Sequence, residues 1–498
     1  MNISSRYLHN SKYRRISVLL LIYAAVSLVL FYSYIYNDIL ETTRMGIRFL
    51  EDLFAGRIRF FYNEFVAMSP AAYAKDVQGV YDFPIYILFA IWDFPLYLIS
   101  RFSSIDVFQS VGCMLWIKTM LLVFSVLFAI ALYRLAIAIK LKEEQALLAC
   151  ILFYTSNLFM TSIIVLSAYD ITALYFTILG VTCWVRNDRK GFVLNFMLAI
   201  PLKMFALLIF LPLLLLREKN IRKIICSTLL AISPILIFRI LIPCSGNGIG
   251  FRLSDMLHST DLSNLALLYA ITYHSEMVLG EIYYSVIGFG ILMAACYFVR
   301  LETSRQYAQW GIYVCFVSYA ILFTTCVSHP YWIIIMTPFT VLLAMMNHRY
   351  LHINLLLDMV GTWGILLAQL FYFPWCFGNA MAANMWPKLL SSRTFEQFNP
   401  VTLLSRVQDA ASLQKLSTGA KGMGSSIFLA CMLMMTFFNC PIVQKRLNCH
   451  VSHFIHSDGS VEKWILALRI LSSLVVGILP LAMYVSQALL IDILLYMR

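Results

Sequence analysis

Apolar runs long enough to cross a bilayer recur from one end of this chain to the other, and no other feature limits its fold so strongly. ISVLLLIYAAVSLVLFYSYIY (Ile16–Tyr36) and the stretch Val111–Ile139 are examples. Hydrocarbon offers no water to satisfy backbone N–H and C=O groups, so a run of roughly twenty apolar residues resolves as a helix bonded within itself. The period-2 pattern of a barrel strand is absent. Composition agrees. Of 498 residues 61% are hydrophobic and only 12% charged, with mean hydropathy +0.80, whereas a soluble domain is about half apolar and about a quarter charged. A soluble enzyme, a disordered chain and a disulfide framework are thereby excluded. The expected fold class is an all-α polytopic membrane protein with about thirteen transmembrane helices.

The net charge of +12 matters less than where the cations sit, because Lys and Arg collect in cytoplasmic loops. A basic nucleic-acid surface is the weaker reading, and no nucleic-acid partner is expected. Arg6, Lys12, Arg14 and Arg15 place the N-terminus in the cytoplasm, so Ile16–Tyr36 runs outward. The first outer loop (37–110) then mixes charges with aromatics, as in RIRFFYNEF, which suits short amphipathic helices on the membrane surface. Phe83–Ser100 is interrupted by Pro84, Asp93 and Pro95 and reads as interfacial or re-entrant. If it crossed, Arg134, Lys140 and Lys142 would be stranded outside.

Phe192–Leu216 has basic residues at both ends (Arg186, Arg189 and Lys190; Arg217, Lys219, Arg222 and Lys223). One span would separate them, whereas a hairpin of two short helices turning near Pro201–Lys203 keeps them together. The remaining runs alternate to a C-terminus outside. The protein is expected as a multi-pass plasma (inner) membrane protein, with a catalytic module over residues 1–350. Variable helices follow over 351–498, with an outer loop at 374–424. Twelve scattered cysteines without a CxxC pair indicate neither zinc nor redox chemistry. His450, His453 and His456 read as a solvated loop.

On this topology Asp38, Asp82, Lys118, Asp170, Lys203 and His329 gather at the outer membrane edge. Ionisable groups there are costly and mark function by default. Carboxylates suit a general base, while Lys and His suit an anionic lipid phosphate. Asp38 follows the first span, whose negative helix end would make it more basic; its plainer role is to head an amphipathic helix with Glu41. Asp82 and Asp170 each suit a helix N-cap. Lys203, at the turn of an apolar hairpin, calls for a buried phosphate or carboxylate partner. His329 heads a span.

YDFPIY (Tyr81–Tyr86), AYDITALYFTILGV (Ala168–Val181), PLKMFALLIFLPLLLL and SHPYWIIIMTPF resemble, in order, segments of the GT-C class of polytopic glycosyltransferases. The likeness covers roughly the first 350 residues. It implies an inverting transfer of a hexose from a polyprenyl-phosphate carrier to an acceptor hydroxyl outside the cytoplasm. Asp38 would be the base, with Asp82 a second catalytic carboxylate. Glu41, Lys118, Asp170, Lys203 and His329 would bind substrate. The implied partners are the lipid-linked sugar donor, a lipid- or glycan-linked acceptor and membrane lipids. No cofactor is expected, with a divalent metal left open. A lipid-linked glycan flippase or polymerase, or a small-molecule transporter, is the alternative.

Overall fold

The computed structural model describes residues 11–58, 61, 83–108, 110–241, 274–277, 280–326, 328–372, 413–447 and 463–496. In chain order the helices are α1 (Ser11–Ser33), α2 (Asn37–Phe54), α3 (Phe83–Trp92), α4 (Phe94–Phe102), α5 (Val111–Ala138), α6 (Glu143–Tyr154), α7 (Asn157–Val165), α8 (Asp170–Val185) and α9 (Arg189–Leu202). There follow α10 (Leu207–Arg217), α11 (Ile221–Leu241), α12 (Tyr284–Phe298), α13 (Ser304–Thr325), α14 (Thr337–Met346), α15 (Leu351–Tyr372), α16 (Leu413–Asn439), α17 (Pro441–Leu447) and α18 (Lys463–Tyr496). The described residues are overwhelmingly helical, as expected, with one short exception. An antiparallel hairpin of β1 (His274–Met277) and β2 (Gly280–Tyr283), with His274 opposite Tyr283, leads into α12.

Among the described residues, six helices are long and apolar enough to cross a membrane, or up to eight if each of two bent pairs is one span. The bent pairs are α3 with α4, turned by 67°, and α6 with α7, turned by 48°. Large apolar side chains stand exposed on these and on the shorter apolar helices, including Leu21, Ile91, Ile240 and Phe298. Water tolerates no such continuous apolar surface, whereas lipid covers it. The chain is a multi-pass membrane protein.

The helices form two compact units. Unit 1 comprises Met1–Tyr36, Leu141–Ala168 and His329–Arg498, and unit 2 comprises Asn37–Lys140 and Tyr169–Ser328. The units interleave along the chain, and position 350 lies inside unit 1.

In unit 1, α15 and α16 approach closely because small residues line the contact. A Cβ on Gly364 would fall 2.8 Å from the Gly424 carbonyl oxygen. Without a hydrophobic drive between helices in lipid, close packing and interhelical hydrogen bonds supply the cohesion. The Asn354 and Asn439 amides exchange both hydrogen bonds (3.0 and 2.8 Å), and the Asn347 amide donates to Asn439 Oδ1 at 2.9 Å.

Unit 1 also holds the break between α6 and α7. The Ser156 N–H bonds to the Phe153 carbonyl instead of reaching Leu152. Arg469 of α18 takes up the orphaned Leu152 carbonyl through Nε and Nη2 (3.2 and 3.0 Å), and donates through Nη1 to Asp358 Oδ2 of α15 at 2.6 Å. Both side chains are buried. The sequence places Arg469 near a span end; the packing makes it the core of a buried polar network. The Tyr23 hydroxyl donates to the Tyr154 carbonyl at 2.7 Å, and the Ser472 hydroxyl to Asn157 Oδ1 at 2.9 Å.

In unit 2, α2 is amphipathic. It buries Ile39, Met45, Ile47, Phe49 and Leu50 and carries Glu41–Arg44 and Arg48–Asp52 pairs. Gly46 lets it lie against α3, since a Cβ there would sit 2.8 Å from Phe89 Cβ.

Candidate functional site

The expected helical hairpin exists, and its cause is local. Pro201 has no N–H and crowds the carbonyl four residues back, so α9 ends at Leu202. Lys203 is extended (φ −155°, ψ 111°), and a 3-10 turn (Met204–Ala206) starts the return. With 14 and 11 residues, the arms are about 21 and 17 Å long at 1.5 Å per residue, short of the roughly 30 Å hydrocarbon thickness. They are closed by an aromatic trio. Phe192 and Phe196 of α9 meet Phe210 of α10 with ring centroids 4.9 and 5.2 Å apart. The far ends are tied by Arg189–Glu218 (3.0 Å) and by Arg217 donating to Asn187 Oδ1 at 2.7 Å.

Helix α8 packs along α9, and a turn at Arg186–Asp188 joins the end of one to the start of the other. Asp170, the first residue of α8, therefore lies at the same end as Lys203. The Lys203 Nζ is 2.7 Å from Asp170 Oδ1, with side chains 10% and 2% exposed. The positive end of α8 faces the carboxylate and the negative end of α9 the ammonium, each favourable by about 0.3–1 kcal/mol. The ammonium also lies 5.6 Å from the Phe205 ring centroid. Of the two partners that Lys203 calls for, the structure supplies the carboxylate. The approach to Asp170 is tightly shaped: Ser167 has φ +48°, a left-handed conformation uncommon for a residue with a side chain. The Tyr169 ring meets Phe89 of α3 edge-on at 5.2 Å.

The remaining expected site residues are placed as follows. Asp38 lies in the first turn of α2, half-buried, and its carbonyl accepts from the Thr42 hydroxyl at 2.7 Å. This corrects the argument for its basicity. One helix ends at Ser33 and a new one begins at Asn37, so Asp38 sits at the positive end of α2, which favours its ionised form. Glu41 is held by Arg44 at 2.6 Å on the same helix and makes no ion pair with Lys203. Lys118 is sealed within α5, 2% exposed. His329 belongs to unit 1, where its ring stacks on Tyr331 and meets Trp332 edge-on, 5.4 and 4.5 Å between centroids. Asp82, the histidine triplet 450–456 and most of the 374–424 loop lie outside the described residues.

Two features escape a sequence reading. Asp93, legible only as a helix breaker, is a fully buried carboxylate. Asp358 looks like one polar residue in an apolar run, and only its partner Arg469 reveals a role. An acidic residue deep in an apolar helix is the signal that would have singled it out.

The opposite end of the α8–α10 bundle is basic. The Arg217 guanidinium lies 4.6 Å from the Trp184 ring centroid and 4.2 Å from that of Tyr307. Trp184 donates to the Leu213 carbonyl at 2.8 Å. Lys219, outside the spans, donates to the Leu215 and Cys296 carbonyls (2.7 and 2.8 Å), and burial pushes its pKa down. Among the described residues, no group of three His, Cys, Asp or Glu side chains could hold a metal ion. Compared with protein families, curated proteins and solved structures, the chain matches none.

Proposed function

We propose that this chain is an inverting glycosyltransferase that moves a hexose from a polyprenyl-phosphate carrier to an acceptor hydroxyl on the extracytoplasmic face of the membrane. The observation that carries the reading is the 2.7 Å contact between Lys203 and Asp170. It joins two of the segments on which the GT-C resemblance rests. In this reading the chain has a GT-C-like arrangement of about thirteen spans, sits in the plasma (inner) membrane and starts in the cytoplasm.

Asp38, ionised at the head of α2, takes the acceptor hydroxyl proton. The acceptor oxygen bonds to the anomeric carbon as the bond from that carbon to the phosphate oxygen breaks. The electron pair leaves with the lipid phosphate, through an oxocarbenium-like transition state. Charge gathering on the phosphate is met by Lys203, while Lys118, sealed within α5, is left out of the step. Asp170 fixes the position of the ammonium as its ion-pair partner. Asp82 and Glu41 stand as further carboxylates of the donor or acceptor subsite. The test is to incubate the purified protein with a panel of polyprenyl-phosphate sugars and measure release of the carrier phosphate. Release that Asp38→Asn abolishes supports the reading; no release with any donor ends it.

A second reading, a flippase or transporter for lipid-linked glycans, is favoured by the buried Asp358–Arg469 pair beside the α6–α7 break. Intramembrane charge at a broken helix is a feature of transport pathways. It predicts movement of a labelled lipid-linked sugar between vesicle leaflets with the sugar–phosphate bond intact.

A further inference from the structure

The halves of the Phe83–Phe102 segment meet at Asp93, where the axis turns by 67°. Asp93 precedes α4 but makes no capping hydrogen bond with its side chain, and a proline occupies the first turn. The residue is 1% exposed, and neither carboxylate oxygen has a hydrogen-bond partner. The polar group beside it is the Thr43 hydroxyl of α2, which is itself buried without a closed hydrogen bond. Trp92 and Trp116 shut the elbow. Their rings lie 5.3 Å apart, and each indole N–H donates to the other residue's carbonyl (3.3 and 3.2 Å).

A charged carboxylate removed from water without hydrogen bonds is so costly that such groups take a proton or a counter-ion. Among the described side chains, no charge on the surrounding elements is paired with Asp93. On α2, Glu41 is held by Arg44, and Asp52 by Arg48 and Arg57. Just past α9, Lys203 is held by Asp170. Arg101 of α4, Arg134 of α5, and Arg222 and Lys223 of α11 are exposed. Lys118 of α5 is buried. A proton satisfies two groups at once: the neutral acid gains an O–H for Thr43 Oγ1 and keeps an oxygen that accepts from the Thr43 hydroxyl.

We propose that Asp93 is a proton-binding site: its carboxyl is carried neutral at physiological pH inside the α3–α4 elbow, and loss of that proton unseals the elbow. The proposal is independent of the transfer reading, since its readouts do not involve activity.

Infrared spectroscopy of the full-length protein in lipid should show the carbonyl stretch of a protonated acid at neutral pH, absent in Asp93→Asn. Asp93→Asn, the neutral isostere, should leave the thermal midpoint at neutral pH unchanged or raised. Hydrogen–deuterium exchange of residues 83–102, compared with Asp93→Asn at each pH, should rise in the wild type alone as the solution turns alkaline. The proposal is overturned by absence of the acid band, or by marked destabilisation in Asp93→Asn that Lys118→Met relieves. The latter would show an ionised Asp93 balanced by Lys118.

Discussion

Lys203, extended at the turn between two helices too short to cross a bilayer, holds its ammonium 2.7 Å from the carboxylate of Asp170 at the head of a third helix. Each is the group that makes burial of the other tolerable. An ion removed from water costs several kcal/mol, and attraction in a medium of low dielectric offsets this only at short range.

Breaking that pair from one side should therefore cost more than removing it whole. Asp170→Asn and Lys203→Met alone should each destabilise by about 3–5 kcal/mol, and the double variant by clearly less. Thermal unfolding in detergent across the four proteins measures this. Equal, additive losses would show that the two charges act independently.

Asp38→Asn should abolish carrier-phosphate release while leaving membrane insertion and thermal stability intact. The substitution removes the proton acceptor but keeps a side chain able to head α2. A variant with undiminished release would remove Asp38 from the reaction.

Arg469→Met should destabilise unit 1 by about 3–5 kcal/mol, since it leaves the Asp358 carboxylate buried without its cation. The Leu152 carbonyl loses its donors as well. Adding Asp358→Leu should restore part of the loss, as measured by thermal unfolding. Flipping activity, if the chain has it, should not return with the stability.

Gly46→Ala gains about 1 kcal/mol of helix propensity, yet should be destabilising. The new Cβ would fall 2.8 Å from Phe89 Cβ and 3.0 Å from the Ala90 backbone nitrogen, and α3 cannot yield as a flexible side chain does. Overpacking of this kind costs about 1–3 kcal/mol, so a net loss of up to about 2 kcal/mol is expected. Limited proteolysis and thermal unfolding would detect loosening of α2 from α3.

The apolar runs along the chain by themselves determined a multi-pass helical protein, because a chain in hydrocarbon must satisfy its backbone locally. The hairpin at Pro201–Lys203 was legible for two local reasons, a proline that ends a helix and basic residues at both ends of one run. The head of α2 at Asp38 was readable too, but its sense was not: whether a carboxylate ends one helix or begins the next depends on a break of three residues between Ser33 and Asn37. Partner choice is non-local, and only the tertiary structure decided it. That Asp170 faces Lys203, that Arg469 reaches Asp358 and the carbonyl orphaned by the α6–α7 break, and that Asp93 is shut in with Thr43 all depend on how helices distant in sequence pack. Hydropathy records which segments leave water, and packing alone selects the polar groups that meet there.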